Sequence, residues 1–367
     1  MKRYKIVNIV LNGILVGIFC IYILLLVVPA KSGLSKNVKV YAVGYDETYF
    51  VIAPNGDLIG WGGNDNRAVG TGNFFAYPYI ARKTILRNVE SLDIGNRCVM
   101  AVDKQGHLWG WGSKSQYHDI FMLDAPDAWM SFWNLPFKIM DDVKSVSLDS
   151  FYAAAIKTDG TLSVWGSNFH GESISRPRTI MEDVKFIFAG HEALFAIKTN
   201  GDLYCWYWLS QLNNADEPAL LAENIEEVYH MGVENQYQVK DENGNVKIFD
   251  LGNGYPLINE IPVYTSNVKS LCNRGLIKDD DTFWSWEPVD IERTDVVLTK
   301  QMDNVASAAN KTLIVDNNGK IYTKSAINGL SLPHSISTVS PTLRNILVLF
   351  LVGKCIYSII YKRKRRG

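Results

Sequence analysis

An Asn or Asp followed by Val or Ile opens a strand-like run at seven places: Asn37-Val38, Asn88-Val89, Asp142-Val143, Asp183-Val184, Asn224-Ile225, Asn267-Val268 and Asn304-Val305. The spacings of 51, 54, 41, 41, 43 and 37 residues lie in the range of blade and solenoid repeats. A chain built on one such unit has to stack or ring its copies, because each copy alone supplies too few strands to be stable. This constraint outweighs length, since 367 residues would otherwise suggest two domains.

Each unit continues in the same way. About six residues after the pair stands a residue that tolerates positive φ: Gly44, Gly95, Asp149, Gly190, Gly232, Asn273 or Asn310. A sharp bend between strands is expected there. A short apolar run follows, then a turn: Asn55-Gly56, Gln105-Gly106, Asp159-Gly160, Asn200-Gly201, Asn243-Gly244, Asp280-Asp281 and Asn318-Gly319. Such pairs between apolar runs predict hairpins with type I′ turns. The next strand carries a large ring in every unit: Trp61, Trp111, Trp165, Trp206, Phe249, Trp286 and Tyr322. One ring per unit at one place predicts packing between neighbouring sheets.

The expected fold is all-β, a seven-bladed β-propeller spanning residues 37–340. The seventh unit has a hairpin but no Asn-Val strand after it, whereas Val38 precedes the first hairpin. The N-terminal strand is therefore expected to complete the last blade and close the ring.

These units resemble the regulator-of-chromosome-condensation (RCC1) repeat, whose blades read roughly W-G-x-N-x-x-G-Q-L-G after a D-G hairpin. The run Trp61-Gly62-Gly63-Asn64-Asp65-Asn66-Arg67-Ala68-Val69-Gly70 keeps the Trp, Gly, Asn and final Gly, and Trp165-Gly166-Ser167-Asn168-Phe169-His170-Gly171-Glu172 matches better. The resemblance is strong over 40–205, weaker over 206–250 and faint to 340. It implies seven blades, and the apolar ends make the expected member a bacterial, membrane-anchored one. Eukaryotic members of the family exchange nucleotide on a small GTPase, and bacterial ones look like binding modules, including a secreted inhibitor of β-lactamases. No functional residue of either kind maps onto this chain, and a shared fold does not carry function.

The ends are apolar. Residues 6–28 hold no charge and are long enough to cross a hydrocarbon core of ~30 Å; residues 1–30 are read as an N-terminal transmembrane anchor. A cleavable signal peptide is the rival, with Val28-Pro29-Ala30 as its cleavage region, but the 23-residue run exceeds an ordinary h-region. Residues 345–361 form a second expected transmembrane helix, interrupted by Lys354. Its apolar residues outweigh that lysine, which costs roughly 2.5 to 3.5 kcal/mol, by a small margin. Basic flanks, Lys2, Arg3 and Lys5 before the first segment and Lys362-Arg363-Lys364-Arg365-Arg366 in the 362–367 tail, place both termini in the cytoplasm and the propeller on the extracytoplasmic side of the cell membrane.

Net charge is −1, which gives no electrostatic reason to expect nucleic acid. Cys20, Cys98, Cys205, Cys272 and Cys355 form no close pair, so they read as buried small hydrophobes rather than a disulfide or zinc framework. No HExxH, GxSxG, Walker or EF-hand motif occurs, and no His stands at ligand spacing from another. Asn64-Asp65-Asn66 and Asp279-Asp280-Asp281 are read as turns rather than calcium ligands. No cofactor, catalytic residue or metal site is assigned.

The candidate partner-binding residues lie on two long connections. One carries Trp129, Phe132, Trp133 and Phe137, with the first three on one face of an expected short helix. The other carries Phe74, Phe75, Tyr77 and Tyr79. Both stripes have a bland alternative, packing on the propeller's own flank. The leading function is a non-enzymatic, membrane-anchored recognition module that binds a protein or cell-wall polymer through loops on one propeller face. Its rivals are a structural component of an envelope complex and an enzyme with its site at the channel mouth. An enzyme would converge several ionisable side chains there.

Overall fold

The computed structural model describes residues 39–323 except 43–47, 64–68, 71–79, 96–97, 113–134, 150–151, 170–171, 191–192, 208–217, 233–234, 253, 289–295 and 311. The strands fall into seven sheets, one per repeat. Blade 1 is β1 (Lys39–Ala42), β2 (Thr48–Ile52), β3 (Leu58–Gly62) and β4 (Ile80–Leu86); blade 2 is β5 (Val89–Ile94), β6 (Cys98–Asp103), β7 (Leu108–Gly112) and β8 (Phe137–Met140). Blade 3 is β9 (Val143–Leu148), β10 (Tyr152–Lys157), β11 (Leu162–Phe169) and β12 (Glu172–Met181); blade 4 is β13 (Val184–Ala189), β14 (Ala193–Lys198), β15 (Leu203–Tyr207) and β16 (Ala219–Ala222). Blade 5 has β17 (Ile225–His230), β18 (Gln236–Asp241) and β19 (Val246–Asp250). Its fourth position is taken by the 251–267 connection, which pairs with β19 only at Val246 and Thr265. Blade 6 is β20 (Val268–Cys272), β21 (Gly275–Lys278), β22 (Phe283–Pro288) and β23 (Val296–Met302), and blade 7 has β24 (Val305–Asn310), β25 (Leu313–Asp316) and β26 (Ile321–Thr323) among the described residues.

The ring is closed. The innermost strands neighbour one another in the order β1, β5, β9, β13, β17, β20, β24 and back to β1. Closure differs from the expectation, because β1 pairs with β2 of its own blade. Every repeat is a whole sheet laid down from the axis outward, so β1 takes an innermost place that β24 already fills in blade 7. The two ends meet face to face instead: Val40, Tyr49, Val51 and Trp61 pack on Leu313 and Val315.

Six further apolar clusters of the same kind fill the other seams. Trp111 of blade 2 packs on Phe50 and Leu58 of blade 1, Trp165 on blade 2, Trp206 on blade 3, Phe249 on blade 4, Trp286 on blade 5 and Tyr322 on blade 6. The repeated ring is thus the inter-blade anchor the sequence predicts, and burying each contributes roughly 1.5–3 kcal/mol.

The hairpins are a different turn from the one expected. In blade 1, Gly56 N donates to Ala53 O at 2.8 Å and Ala53 N to Asp57 O at 2.9 Å. Gly56 has φ of 88° while Asn55 does not turn positive. This is a type I turn closed by a left-handed residue, the three-residue hairpin with a bulge. The same pair of bonds recurs in all seven blades, with Asp281 at φ 59° replacing glycine in blade 6.

The leading Asn or Asp of blades 2 to 7 sits in the left-handed region, at φ 58–61°. That twist sends its carbonyl to its own blade's hairpin and the following N–H to the previous one. Asn88 O thus accepts from Lys104 N at 2.7 Å, while Val89 N donates to Gly56 O at 2.7 Å. Among the described bend residues only Gly232 has positive φ. Gly95 is needed for closeness instead, since a Cβ there would lie 2.6 Å from Asp149 O of the next blade.

The alternation of strands sorts the connections by face. The hairpins and the two-residue links 87–88, 141–142, 182–183, 223–224 and 303–304 all lie on one side, the tight-turn face. Connections 63–79, 113–136, 208–218 and 289–295 all open on the opposite side, the loop face. The chain enters β1 from the tight-turn face.

Candidate functional site

A central channel and the loop face are two places where this disc can meet a ligand. The channel holds a cavity of about 420 Å³ to which all seven innermost strands contribute. An innermost strand has a ladder partner on one side only, so N–H groups on its free edge need acceptors from elsewhere. The preceding blade supplies them. Asp93 Oδ2 accepts from Leu148 N at 2.7 Å and Ser147 Oγ at 2.8 Å, and Asp93 Oδ1 accepts from Ile94 N at 2.8 Å. Ser147 Oγ in turn accepts from Ala189 N at 3.0 Å, which links blades 2, 3 and 4. Across the ring, Glu227 Oε2 accepts from Leu271 N at 2.7 Å.

Electrostatics follow from this burial. Desolvation pushes the Asp93 carboxyl up to about 6 despite its three donors. Burial also raises Glu227. Burial alone would lower the Lys240 ammonium, but Glu226 at 2.7 Å and Glu227 at 3.1 Å outweigh it and hold it above its ordinary value. The Cys272 thiol is pushed far up by burial, with the Glu227 charge adding to it. The carboxylate that faces the channel from blade 2 therefore spends its oxygens on the fold.

The rest of the channel wall is mixed. Ser91, Leu92, Ser145 and Val146 come from blades 2 and 3, and Lys185, Phe186, Phe188 and Tyr229 from blades 4 and 5. The Tyr229 ring meets Phe188 edge-on at 5.3 Å and Phe186 at 5.9 Å. Ser91 Oγ is buried without a hydrogen-bond partner.

Of the sequence-derived candidates, Phe137 is corrected. It is the first residue of β8 and 1% exposed, packed against Val143 and Trp165 in the seam of blades 2 and 3. Alternation puts it on the seam side of its strand, so it anchors the blade and not a partner. Trp129, Phe132 and Trp133, on the β7–β8 connection, and Phe74, Phe75, Tyr77 and Tyr79, on the β3–β4 connection, lie outside the described residues. The strands that flank them, β3 with β4 and β7 with β8, end and begin on the loop face. Asp279-Asp280-Asp281 is turn chemistry as expected: Asp280 Oδ1 accepts from Thr282 N and Thr282 Oγ1, and Asp281 pairs with Lys269 at 2.7 Å. Asn64-Asp65-Asn66 lies outside the described residues, as do both apolar termini. Cys98, Cys205 and Cys272 are buried and unbridged. Among the described residues no helix is long and apolar enough to cross a membrane.

The sequence reading named the channel mouth only for the rival enzyme and assigned no residue to it. It also missed an apolar rim, since Leu220, Leu257, Val263, Tyr264 and Val297 are exposed on the outer elements of blades 4 to 6.

No protein-family model matches the chain. The RCC1 domain-containing mitochondrial protein RUG3 of Arabidopsis thaliana is 24% identical over 157 residues, which cover 40% of this chain and 34% of that protein. The match thus spans about a third of the relative's length. Among solved structures, Prp20p of Saccharomyces cerevisiae, described with its binding to Gsp1p and histones, shares 13% identity at a TM-score of 0.56 over 74% of this chain and 78% of the other. Yeast RCC1 (Prp20) bound to Kap60 gives 14% and 0.54 over 80% and 81%. Human WBSCR16 gives 12% and 0.55 over 75% and 85%. At these identities the likeness is one of fold: the chain forms an RCC1-like seven-bladed β-propeller.

Proposed function

We propose that this chain is a membrane-anchored recognition module that binds a protein or cell-envelope polymer through the loop face of its propeller. One observation carries the reading: the disc is strictly two-sided. The tight-turn face repeats one hairpin seven times and leaves little room for variation. The long connections within blades 1, 2, 4 and 6, two of which carry the aromatic stripes, belong to the other face. The chain reaches β1 from the tight-turn face, so an anchor formed by residues 6–28 holds that face toward the membrane and turns the loops outward. The basic flanks of both apolar segments support an extracytoplasmic propeller with cytoplasmic termini. That yeast Prp20p binds Gsp1p and histones gives precedent for protein recognition by such a disc.

The test uses the full chain in its own membrane. Photo-crosslinking side chains are placed singly at Trp129 and Trp133 on the loop face, and at Asn55 and Asn200 on the tight-turn face. The reading expects adducts from the first pair alone, lost when the other tryptophan of that pair is replaced by Ala. Adducts from the hairpins instead would overturn the choice of face. In intact cells, Asn200→Cys is expected to react with a membrane-impermeant maleimide, and a cytoplasmic reaction pattern would overturn the placement.

A further inference from the structure

We propose that Asn243 and Asn318, in the hairpins of blades 5 and 7, are sites of spontaneous conversion to isoaspartate, and that their counterparts Asn55 and Asn200 are protected from it. This goes beyond the loop-face reading and does not depend on it. An Asn-Gly pair favours the chemistry, because glycine has no Cβ to obstruct its own nitrogen. That nitrogen attacks the asparagine Cγ and gives up its proton. The new C–N bond closes a succinimide ring, and the side-chain amide leaves as ammonia with the proton. Water, the one co-reactant, then opens the ring at either carbonyl and leaves aspartate or isoaspartate.

These four asparagines are exposed and sit in the same turn. In each hairpin the glycine N–H donates to the carbonyl of the first turn residue, at 2.8 Å for Gly56, 2.9 Å for Gly201, 3.1 Å for Gly244 and 2.9 Å for Gly319. The asparagine side chains differ. Asn55 Oδ1 accepts from Asp57 N at 3.0 Å while its Nδ2 donates to Asp57 Oδ2 at 3.0 Å. Asp202 holds Asn200 in the same way, at 3.1 and 2.8 Å. Both bonds have to break before Cγ can swing onto the glycine nitrogen. In blades 5 and 7 the cap comes from the opposite end of the turn. Asp241 Oδ1 accepts from the N–H groups of Asn243 and Asn245, and Asp316 Oδ1 from those of Asn318 and Lys320. Among the described residues the carboxamides of Asn243 and Asn318 make no hydrogen bond, so no bond holds them back. The ring feels the product: Gly244 O accepts from Val268 N of blade 6 at 3.1 Å, and isoaspartate adds a backbone methylene just ahead of that link. The Asn-Gly pairs at Asn12, Asn253 and Asn328 lie outside the described residues.

The full chain in detergent is aged at mildly alkaline pH, and its peptides are mapped by mass spectrometry with an isoaspartyl methyltransferase to mark isoaspartate. Asn243 and Asn318 are expected to convert about 10-fold faster than Asn55 and Asn200, the factor that one or two net hydrogen bonds supply. In denaturant all four should convert at similar rates, since only the shared Asn-Gly pair is left there. Asp202→Ala removes the acceptor for Asn200 Nδ2. It should speed Asn200 several-fold in the folded chain and leave its rate in denaturant unchanged. Similar rates at all four sites in the folded chain, or faster conversion at Asn55 and Asn200, overturn the proposal. An Asn200 rate indifferent to Asp202→Ala overturns it as well. None of these results touches the loop-face crosslinks.

Discussion

Asp93 shows how a single side chain can hold a fold together and still weaken it. Two of its three donors, Leu148 N and Ser147 Oγ, tie blade 2 to blade 3, yet burial lifts its pKa from the ordinary 3.8 to about 6. A raised carboxyl pKa means that the folded state binds the proton more tightly than the unfolded one. Its contribution is therefore fully present below pH ~4 and is lost as pH rises through about 6, a loss of roughly 3 kcal/mol by neutrality. Asp93→Asn keeps an acceptor for Leu148 N and Ser147 Oγ and gives up the bond from Ile94 N, which is worth about 1 kcal/mol. The variant is expected to be more stable than the parent by roughly 2 kcal/mol at pH 7.5 and less stable by about 1 kcal/mol near pH 3. Melting curves at the two pH values check this. A parallel shift at both would mean that the carboxyl is not buried as an acid.

At the scale of the element, the seven hairpins share one backbone but are capped in two ways. In blades 2, 5 and 7 the first turn residue is Asp103, Asp241 or Asp316, whose carboxylate accepts from two backbone N–H groups further on. In blades 1, 3, 4 and 6 the cap is Asn55, Asp159, Asn200 or Asp280, two places later. Either acceptor fixes the type I turn, and the last residue must then be left-handed. Gly201→Ala is expected to cost about 1–2 kcal/mol from φ alone, and its new Cβ would meet Asn224 Cα of the next blade at 3.1 Å. Chemical denaturation should show this loss in the full transition. No change would mean that the link between hairpin and next blade is not formed.

These elements also show what the sequence could disclose. The Asn-Gly signal located every hairpin correctly but named the wrong turn, because type I′ and the bulged type I turn both call for glycine at the last place. The rings at Trp61 through Tyr322 were legible because all seven do one job. Gly95 was misread because a glycine required by a neighbour's carbonyl looks the same in sequence as one required by φ. Asp93, Ser147 and Glu227 left no common signal. Their shared task is to accept a bond from a free strand edge, and several residue types can do it at slightly different places. Phe137 misled because an aromatic near a long insertion looks alike whether it opens a strand or lies on a loop.

For the whole molecule, the seam between blades 1 and 7 decides whether the disc behaves as a ring or as an open stack. Among the described residues no strand is exchanged across it; β1 lies against β24 and β25, and Trp61, Tyr49 and Val51 pack on Leu313 and Val315. Its cluster is of the same apolar kind as an internal seam such as Trp165 on blade 2, though smaller. In an open stack, units fray from the ends and a terminal seam contributes little to global stability. In a closed ring every blade has two neighbours, so loss at any seam is felt everywhere. Trp61→Ala and Trp165→Ala are therefore each expected to cost roughly 3–5 kcal/mol, a large share of a typical domain's 5–15 kcal/mol. Hydrogen exchange followed by mass spectrometry separates the two cases. A ring predicts that Trp61→Ala lowers amide protection in the core strands β10 and β14 as much as in β2. Loss confined to blades 1 and 7 would mean that the seam opens by itself, and the channel, which needs β1 beside β24, would then not persist as a closed site.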